Sequence, residues 1–157
     1  MAYRVFLSHS GADFQVAEWI AAHSKAIGIE IYLFEFDSQP GSVVSQKIKD
    51  SIEAADALVV LLTKNSQTSP YVQQEIGYAE ALKRLIVPIV FKGFDGQKLA
   101  MLQGREYVSF DPSCPQLALQ SLLTFLSNKK QEKESSQAAL VALGALLLLA
   151  AFGGSNR

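Results

Sequence analysis

Short apolar runs and amphipathic stretches alternate along the first 127 residues of the chain. The apolar runs are typical of buried strands, and the stretches between them repeat apolar residues at helical spacing. The predicted strands are Arg4–Ser8, Ile29–Phe34, Ala57–Thr63, Leu85–Phe91 and Glu106–Phe110. The predicted helices are Asp13–Ile27, Val43–Ala55, Pro70–Arg84 and Pro115–Asn128. This alternation predicts an α/β fold, a doubly wound five-stranded parallel sheet with helices on both faces.

The pattern changes sharply at the end of this region, which predicts a domain over residues 1–128. Residues 129–137 are polar throughout and are typical of a linker or of a solvated helix extension. Residues 138–154 are almost entirely apolar and would span about 25 Å as a helix, slightly less than a hydrocarbon core of ~30 Å. We predict a single C-terminal membrane-spanning helix; a helix buried in a soluble oligomer is the alternative.

Charged residues near the apolar stretch predict its orientation. Lys129, Lys130 and Lys133 precede it and Arg157 follows it. Positive charge is enriched on the cytoplasmic side of membrane spans, so the folded domain is expected in the cytoplasm. The small residues Ala138, Ala142 and Ala145 recur at helical spacing within the stretch, which gives copies a surface for close packing.

Composition restricts the classes of function. The 157 residues include 14 basic and 15 acidic side chains, a net charge of −1, so no overall positive field attracts nucleic acid. Cys114 is the single cysteine, and no His/Cys cluster has the spacing of a metal site, so we expect neither an intrachain disulfide nor a metal. This favours a reducing, intracellular compartment. The N-terminus lacks the long apolar segment of a signal peptide.

The start of the third predicted helix carries the most specific candidate residue. Ser69 is suited to cap the helix, and Pro70 to occupy its first position. Glu75 lies at the edge of the apolar face of this helix, one turn after Tyr71. A carboxylate beside an aromatic ring near a helix start fits a pocket, whereas a favourable helix-dipole contact is the structural alternative.

Polar residues follow the predicted strands at the edge where parallel sheets bind ligands. Ser8, His9 and Ser10 end the first strand, the loop 35–41 with Asp37 follows the second, and residues 65–69 follow the third. We expect these segments to converge on the helix that carries Glu75. Backbone capping by the serines, a structural role for His9 and an Asx turn at Asp37 are the alternatives.

These motifs, in this order, resemble the Toll/interleukin-1 receptor (TIR) domain family, and most closely its stand-alone microbial type. The segment 5–10 (Val-Phe-Leu-Ser-His-Ser) is similar to the opening box of the family, and the segment 35–41 with its Pro-Gly to its mobile loop. The segment 69–75 resembles the motif of the third helix, in which an aromatic residue, usually tryptophan and here Tyr71, precedes the catalytic glutamate by four positions.

The resemblance implies a flavodoxin-like TIR fold and cleavage of NAD⁺ between nicotinamide and ribose. It implies Glu75 as the catalytic residue, with Ser8, His9, Ser10, Asp37 and Tyr71 binding the substrate. NAD⁺ is then a substrate, with no separate cofactor, and the product is ADP-ribose or a cyclic variant. The resemblance also implies activation by assembly with other TIR domains, in defence or cell-death signalling.

Two other classes of function share parts of this pattern. A phosphorelay receiver domain has a similar fold but needs acidic residues after the first and third strands to hold Mg²⁺. Here the segments 8–10 (Ser-His-Ser) and 63–65 (Thr-Lys-Asn) occupy those places, which argues against it. A non-enzymatic TIR scaffold, signalling by contacts between like domains, stays as the alternative, although a scaffold has no need of Glu75.

Overall fold

A computed structural model describes residues 2–34, 44–95 and 104–153. The strands are β1 (Tyr3–Ser8), β2 (Ile29–Leu33), β3 (Ala57–Leu62), β4 (Leu85–Phe91) and β5 (Val108–Phe110). The helices are α1 (Phe14–Lys25), α2 (Val44–Ala54), α3 (Pro70–Ala81) and α4 (Pro115–Gly153). Each strand and helix predicted from the pattern therefore has its counterpart in the structure.

The five strands form one parallel sheet in the order β2-β1-β3-β4-β5. All six residues of β3 are buried, as expected for an unbroken apolar strand at the centre of a sheet that is covered on both faces. The chain winds one way from β1 to β2 and the other way from β3 to β5. The predicted doubly wound parallel sheet is confirmed.

Helices cover the two faces of the sheet in pairs. On one face, α1 and the first part of α4 enclose a cluster that includes Ile20, Leu122 and Leu126. On the other face, α2 and α3 enclose a cluster that includes Phe6, Ile52 and Ile76. Each large apolar side chain buried in this way stabilises the fold by about 1.5–3 kcal/mol. The carboxyl ends of the strands, where the candidate site is expected, thus lie between two layers of helices.

Helices α1 and α3 end two and three residues earlier than predicted, and α2 ends one residue earlier. Helix α1 ends at Lys25, and Gly28, with φ +71°, makes the turn into β2. A Cβ at Gly28 would lie 2.6 Å from the Lys130 Nζ, the end of a flexible side chain that can move aside, so the positive φ is what requires glycine there. Helix α3 ends at Ala81 instead of residue 84, because Lys83 adopts φ +54° and turns the chain toward β4.

Helix α4 is longer than predicted: it was expected to end at Asn128 but continues without a break to Gly153. Residues 129–137, predicted as a linker or a solvated helix extension, are helical. The sequence there is rich in lysine, glutamate and glutamine, which are good helix formers, and Lys129 pairs with Glu132 one turn on. The predicted boundaries of the folded domain and the apolar segment stay predictions.

Candidate functional site

The candidate site lies where the winding of the sheet reverses. Helices following β1 and β3 diverge to opposite faces, which leaves a crevice at the carboxyl ends of these two neighbouring strands. Open α/β sheets bind their ligands at this switch point. Ser8, His9 and Ser10 lie at the end of β1 and are all buried.

Local sequence places Glu75 in this crevice. The Ser69 hydroxyl accepts a hydrogen bond from the backbone N–H of Val72 at 3.4 Å, and Pro70 occupies the first helical position, as predicted. Val72 and Ile76 are fully buried on the face of α3 that packs on the sheet. Glu75 was expected at the edge of this face, but its side chain is 4% exposed. It is therefore a buried carboxyl group.

The buried carboxyl group has one polar contact that joins α3 to the sheet. The Ser8 hydroxyl donates a hydrogen bond to the Glu75 Oε2, across 67 residues of sequence. Burial raises the pKa of Glu75 to about 7, and the hydrogen bond from Ser8 opposes part of that rise. Near neutral pH the group can therefore be either a proton donor or an anion, which is the behaviour expected of a functional carboxyl group.

A cavity of about 100 Å³ opens in front of Glu75, between α2 and α3. Tyr71, Gln74 and Tyr78 line it from α3, and Ile48, Lys49 and Ile52 line it from α2. Tyr71 is 50% exposed, so its ring has a face available to a ligand. Pockets that hold drug-sized ligands are about 300–1,000 Å³. The cavity between these described residues is smaller than such a pocket.

Two polar residues near the cavity, Lys49 and Glu53 of α2, are missing from the predicted site, and both lie beside Tyr78. The Tyr78 hydroxyl donates a hydrogen bond to Glu53, which raises the pKa of Tyr78. The Lys49 ammonium lies 5.7 Å from the centre of the Tyr78 ring. Lys49 is four positions before Glu53, so both lie on one side of α2, and this helical spacing was the available signal. The cluster thus places a positive charge, Lys49, and a negative charge, Glu53, beside Tyr78.

Ser10 belongs to a second polar cluster, centred on Asp13. The Ser10 hydroxyl donates to the Asp13 Oδ2 at 2.7 Å, and the Thr63 hydroxyl donates to the same oxygen at 2.6 Å. The Asn65 amide donates to the Asp13 Oδ1 at 3.0 Å. The cluster ties the loop after β1 to the loop after β3. The spacing Ser10-x-x-Asp13 at a helix start resembles a capping box and was the signal for Asp13.

The remaining predicted site residues are placed as follows. His9 lies between Ser8 and Ser10, with Nδ1 2.8 Å from the Ser10 carbonyl oxygen and its ring 5.9 Å from that of Phe14. Asp37 and the Pro-Gly of its loop lie outside the described residues. The structure thus brings Ser8, Glu75 and Tyr71 to one place. The catalytic role of Glu75 stays a prediction, as do the binding roles of Ser8, His9, Ser10, Asp37 and Tyr71.

The arrangement suits stabilisation of positive charge. An anionic Glu75 in a site with little water interacts strongly with a cation that develops in front of it. Tyr71 offers a stacking surface one turn away, and Lys49 offers attraction for an anionic group such as a phosphate. Among the described residues, no group of three or more histidine, cysteine, aspartate or glutamate side chains is placed to hold a metal ion.

Comparison with known proteins identifies the fold and the family. The family model described as "TIR domain" matches residues 5–123, which is most of the chain. No curated protein matches the chain significantly. Many solved structures are similar to it, and three of them show the range of the likeness. The TIR domain of the Toll-related receptor TRR-2 from Hydra magnipapillata has a TM-score of 0.64 and 17% identity, covering 78% of this chain and 96% of that chain.

The other two have lower TM-scores. The TIR domains of the activated Roq1 resistosome, which recognises the pathogen effector XopQ, have a TM-score of 0.51 and 18% identity, covering 81% of this chain and 84% of that chain. The CMP N-glycosidase BcmB from Clostridium botulinum has a TM-score of 0.57 and 17% identity, covering 78% of this chain and 98% of that chain. At these identities the likeness establishes the fold.

Proposed function

Because this chain belongs to the TIR domain family, we propose that it is an NAD⁺ nucleosidase of the microbial type, which cleaves the bond between nicotinamide and ribose. The observation that carries the proposal is Glu75, a carboxyl group that is buried at the switch point and has a pKa of about 7. A scaffold that works only through its surface gains nothing from such a group, because burying a carboxyl group destabilises the fold.

The reaction needs little more than this carboxylate. Nicotinamide leaves as a neutral molecule, since both electrons of the C–N bond go to its ring nitrogen, so no acid has to protonate it. The ribose becomes an oxocarbenium-like cation, which the Glu75 anion stabilises while it accepts hydrogen bonds from ribose hydroxyls. Water then bonds to the anomeric carbon and loses a proton, giving ADP-ribose. An internal nucleophile in place of water gives a cyclic product.

Neighbouring residues have defined parts in this proposal. Ser8 donates a hydrogen bond to Glu75 and so favours its charged form. Tyr71 stacks on a ring of the dinucleotide, and Lys49 attracts its pyrophosphate. The similar fold of a CMP N-glycosidase supports the proposal in one respect: both reactions break an N-glycosidic bond at a ribose.

Release of nicotinamide from NAD⁺ by the purified full chain tests the proposal. CMP, incubated in parallel, tests the other N-glycosidic substrate that the comparisons introduce. Nicotinamide release with intact CMP supports the NAD⁺ proposal, and cleavage of CMP alone contradicts it. No cleavage of either substrate, even by protein concentrated on vesicles, contradicts the proposal and favours the scaffold that signals through contacts between TIR domains.

We also propose that the end of α4 anchors the chain in a membrane. By length and composition α4 is able to cross a bilayer, with a mean hydropathy of 2.0 over its most apolar window, none of which is buried. Eight large apolar residues are exposed there. They are Leu140, Val141, Leu143, Leu146, Leu147, Leu148, Leu149 and Phe152. At about 100° per residue these side chains surround the helix, with no polar face between them.

An apolar surface on all sides fits lipid better than a partner helix, because an association of helices in water leaves one side of each helix exposed to solvent. Fractionation of cells that express the full chain or a chain ending at Gln137 tests the anchor. We expect the full chain in the membrane pellet, released by detergent, and the shorter chain in the supernatant. A full chain that stays in the supernatant as an oligomer contradicts the anchor.

A further inference from the structure

Helix α4 runs along the sheet from its carboxyl edge to its amino edge. The carboxyl edge is formed by the carboxyl ends of the strands and carries the candidate site, and the amino edge is formed by their amino ends. Because β5 is parallel to the other strands, its last residue, Phe110, lies at the carboxyl edge of the sheet, and α4 begins close by at Pro115. The next turns pack against the sheet through Leu119, Leu122 and Leu126, all buried. Twelve residues of helix are about 18 Å long, close to the length of these strands.

Beyond Leu126 the helix is attached to the amino edge of the sheet by two lysines. The Lys130 Nζ donates a hydrogen bond to the Ile27 carbonyl oxygen at 3.3 Å. The Lys133 Nζ contacts the Asp56 Oδ2 at 2.8 Å and the Ala2 carbonyl oxygen at 3.5 Å. Ala2, Ile27 and Asp56 precede β1, β2 and β3 respectively. The helix therefore leaves the domain at the edge opposite Glu75.

The same helix continues from this attachment into the apolar stretch. Residues 134–137 join the two parts and are helical, and no proline occurs after Pro115. A helix kinks sharply at proline, at glycine–serine pairs or at bulges, and none of the first two lies between Lys133 and Ala138. The direction of the apolar stretch is thus fixed relative to the sheet.

On the premise that the apolar stretch crosses a bilayer, we propose that α4 is a rigid stalk, which turns the amino edge of the sheet toward the membrane and the carboxyl edge away from it. The helix rises about 8 Å from Lys133 to Ala138, and a six-residue strand adds about 20 Å. For a stalk near the membrane normal, Ser8 and Glu75 stand roughly 25–30 Å from the start of the hydrocarbon.

This orientation determines which substrates and which neighbouring domains can reach the site. It opens to the aqueous phase, so it takes a soluble substrate such as a dinucleotide and not a lipid. Copies in one bilayer present their sites at the same height and in the same direction, and they meet side by side. The anchor thereby aligns the domains as well as concentrating them, which reduces the entropy lost when neighbours associate.

Fluorescence energy transfer to a headgroup-labelled lipid tests the orientation in phosphatidylcholine vesicles. Cys114 is exposed and directly precedes α4, so a donor attached there reports on the carboxyl edge. The matched variant Cys114→Ser/Ala26→Cys carries the donor at position 26, an exposed residue at the end of α1 beside the amino edge. A second pair of variants carries four glycines in place of residues 134–137.

We expect the donor at position 26 to lie about 20 Å closer to the headgroup plane than the donor at Cys114, by the length of a strand. We expect the glycine variants to lose most of this difference. Equal distances, or a closer Cys114, overturn the proposal, and a difference that survives in the glycine variants overturns the role of α4. Failure to bind vesicles overturns both the anchor and the stalk. A correct orientation without nicotinamide release on the same vesicles supports the stalk and contradicts the proposed enzyme.

Discussion

Replacement of Glu75 by glutamine separates the catalytic role of the charge from the structural role of the side chain. The amide keeps the volume and still accepts a hydrogen bond from Ser8, but it carries no negative charge. Because Glu75 is 4% exposed, water has little access to stabilise the ribose cation in its place. We expect NAD⁺ cleavage to fall at least about 100-fold, the scale on which one preorganised electrostatic group acts.

The same substitution should change stability in the opposite direction. The pKa of Glu75 is about 7 in the folded chain, against 4.5 for an ordinary glutamate exposed to water. A raised pKa means that the folded state holds the proton more tightly, so the stability that protonation contributes is complete below pH 4.5 and is lost as the pH rises through about 7. The loss amounts to about 3 kcal/mol. Since glutamine does not ionise, Glu75→Gln should be up to that much more stable than the wild type at pH 8.

Nicotinamide release and thermal unfolding, both measured on the full chain in detergent, check these expectations. The melting temperature of Glu75→Gln should exceed that of the wild type at pH 8, with the gain reduced at pH 5. Glu80→Gln is the matched control, because Glu80 lies on the same helix but is partly exposed and paired with Arg105. It should change neither the activity nor the pH dependence. Near wild-type turnover in Glu75→Gln would refute the catalytic role, and lower stability at pH 8 would refute the burial argument.

Three further outcomes are expected. Ser8→Ala removes the hydrogen bond that lowers the pKa of Glu75, so the rising limb of the pH–rate curve should move to higher pH; an unmoved limb argues against the contact. Tyr71→Ala should raise the KM for NAD⁺ while Tyr71→Phe keeps it near the wild-type value, because stacking needs the ring and Tyr71 is half exposed; a lower melting temperature with unchanged kinetics indicates a structural role. Specific activity should rise with protein density on vesicles, since a cavity of about 100 Å³ is too small to enclose a dinucleotide and a neighbouring domain can supply the missing walls; constant specific activity in a verified monomer contradicts this.

The fold could be predicted because each element has a local signal. The apolar run that forms β3 is long enough for a buried strand and too short for a helix, and Gly28 marks the turn between α1 and β2. The end of α4 could not be predicted in the same way. Residues 129–137 have no apolar face, and Lys130 and Lys133 are held by groups 103 and 77 residues away in sequence. Contacts over such distances leave no local pattern.

The candidate site was predictable to a different degree at each residue. Ser69 and Pro70 fixed the start of α3, and the helical period then placed Tyr71 and Glu75 one turn apart. The near-complete burial of Glu75 was not predictable, because it depends on α2 closing over α3. The Ser10 hydroxyl donates to Asp13, whose carboxylate also accepts hydrogen bonds from Thr63 and Asn65, far away in the sequence. Local pattern therefore located the residues, and tertiary packing decided their contacts.

Two features of this chain oppose its own stability in water, and they lie at opposite edges of one sheet. A buried carboxyl group at the carboxyl edge binds its proton more tightly than a carboxyl group on the surface does. An apolar helix beyond the amino edge is exposed on every side. Folding by itself favours neither, since a glutamine or a polar helix would serve the same packing. The proposed function explains each feature by what it would contact, a ribose cation in one case and hydrocarbon in the other. Under that proposal, their separation by the length of a strand and by one continuous helix would allow a single TIR domain to be fixed to a membrane and open to a soluble nucleotide at the same time.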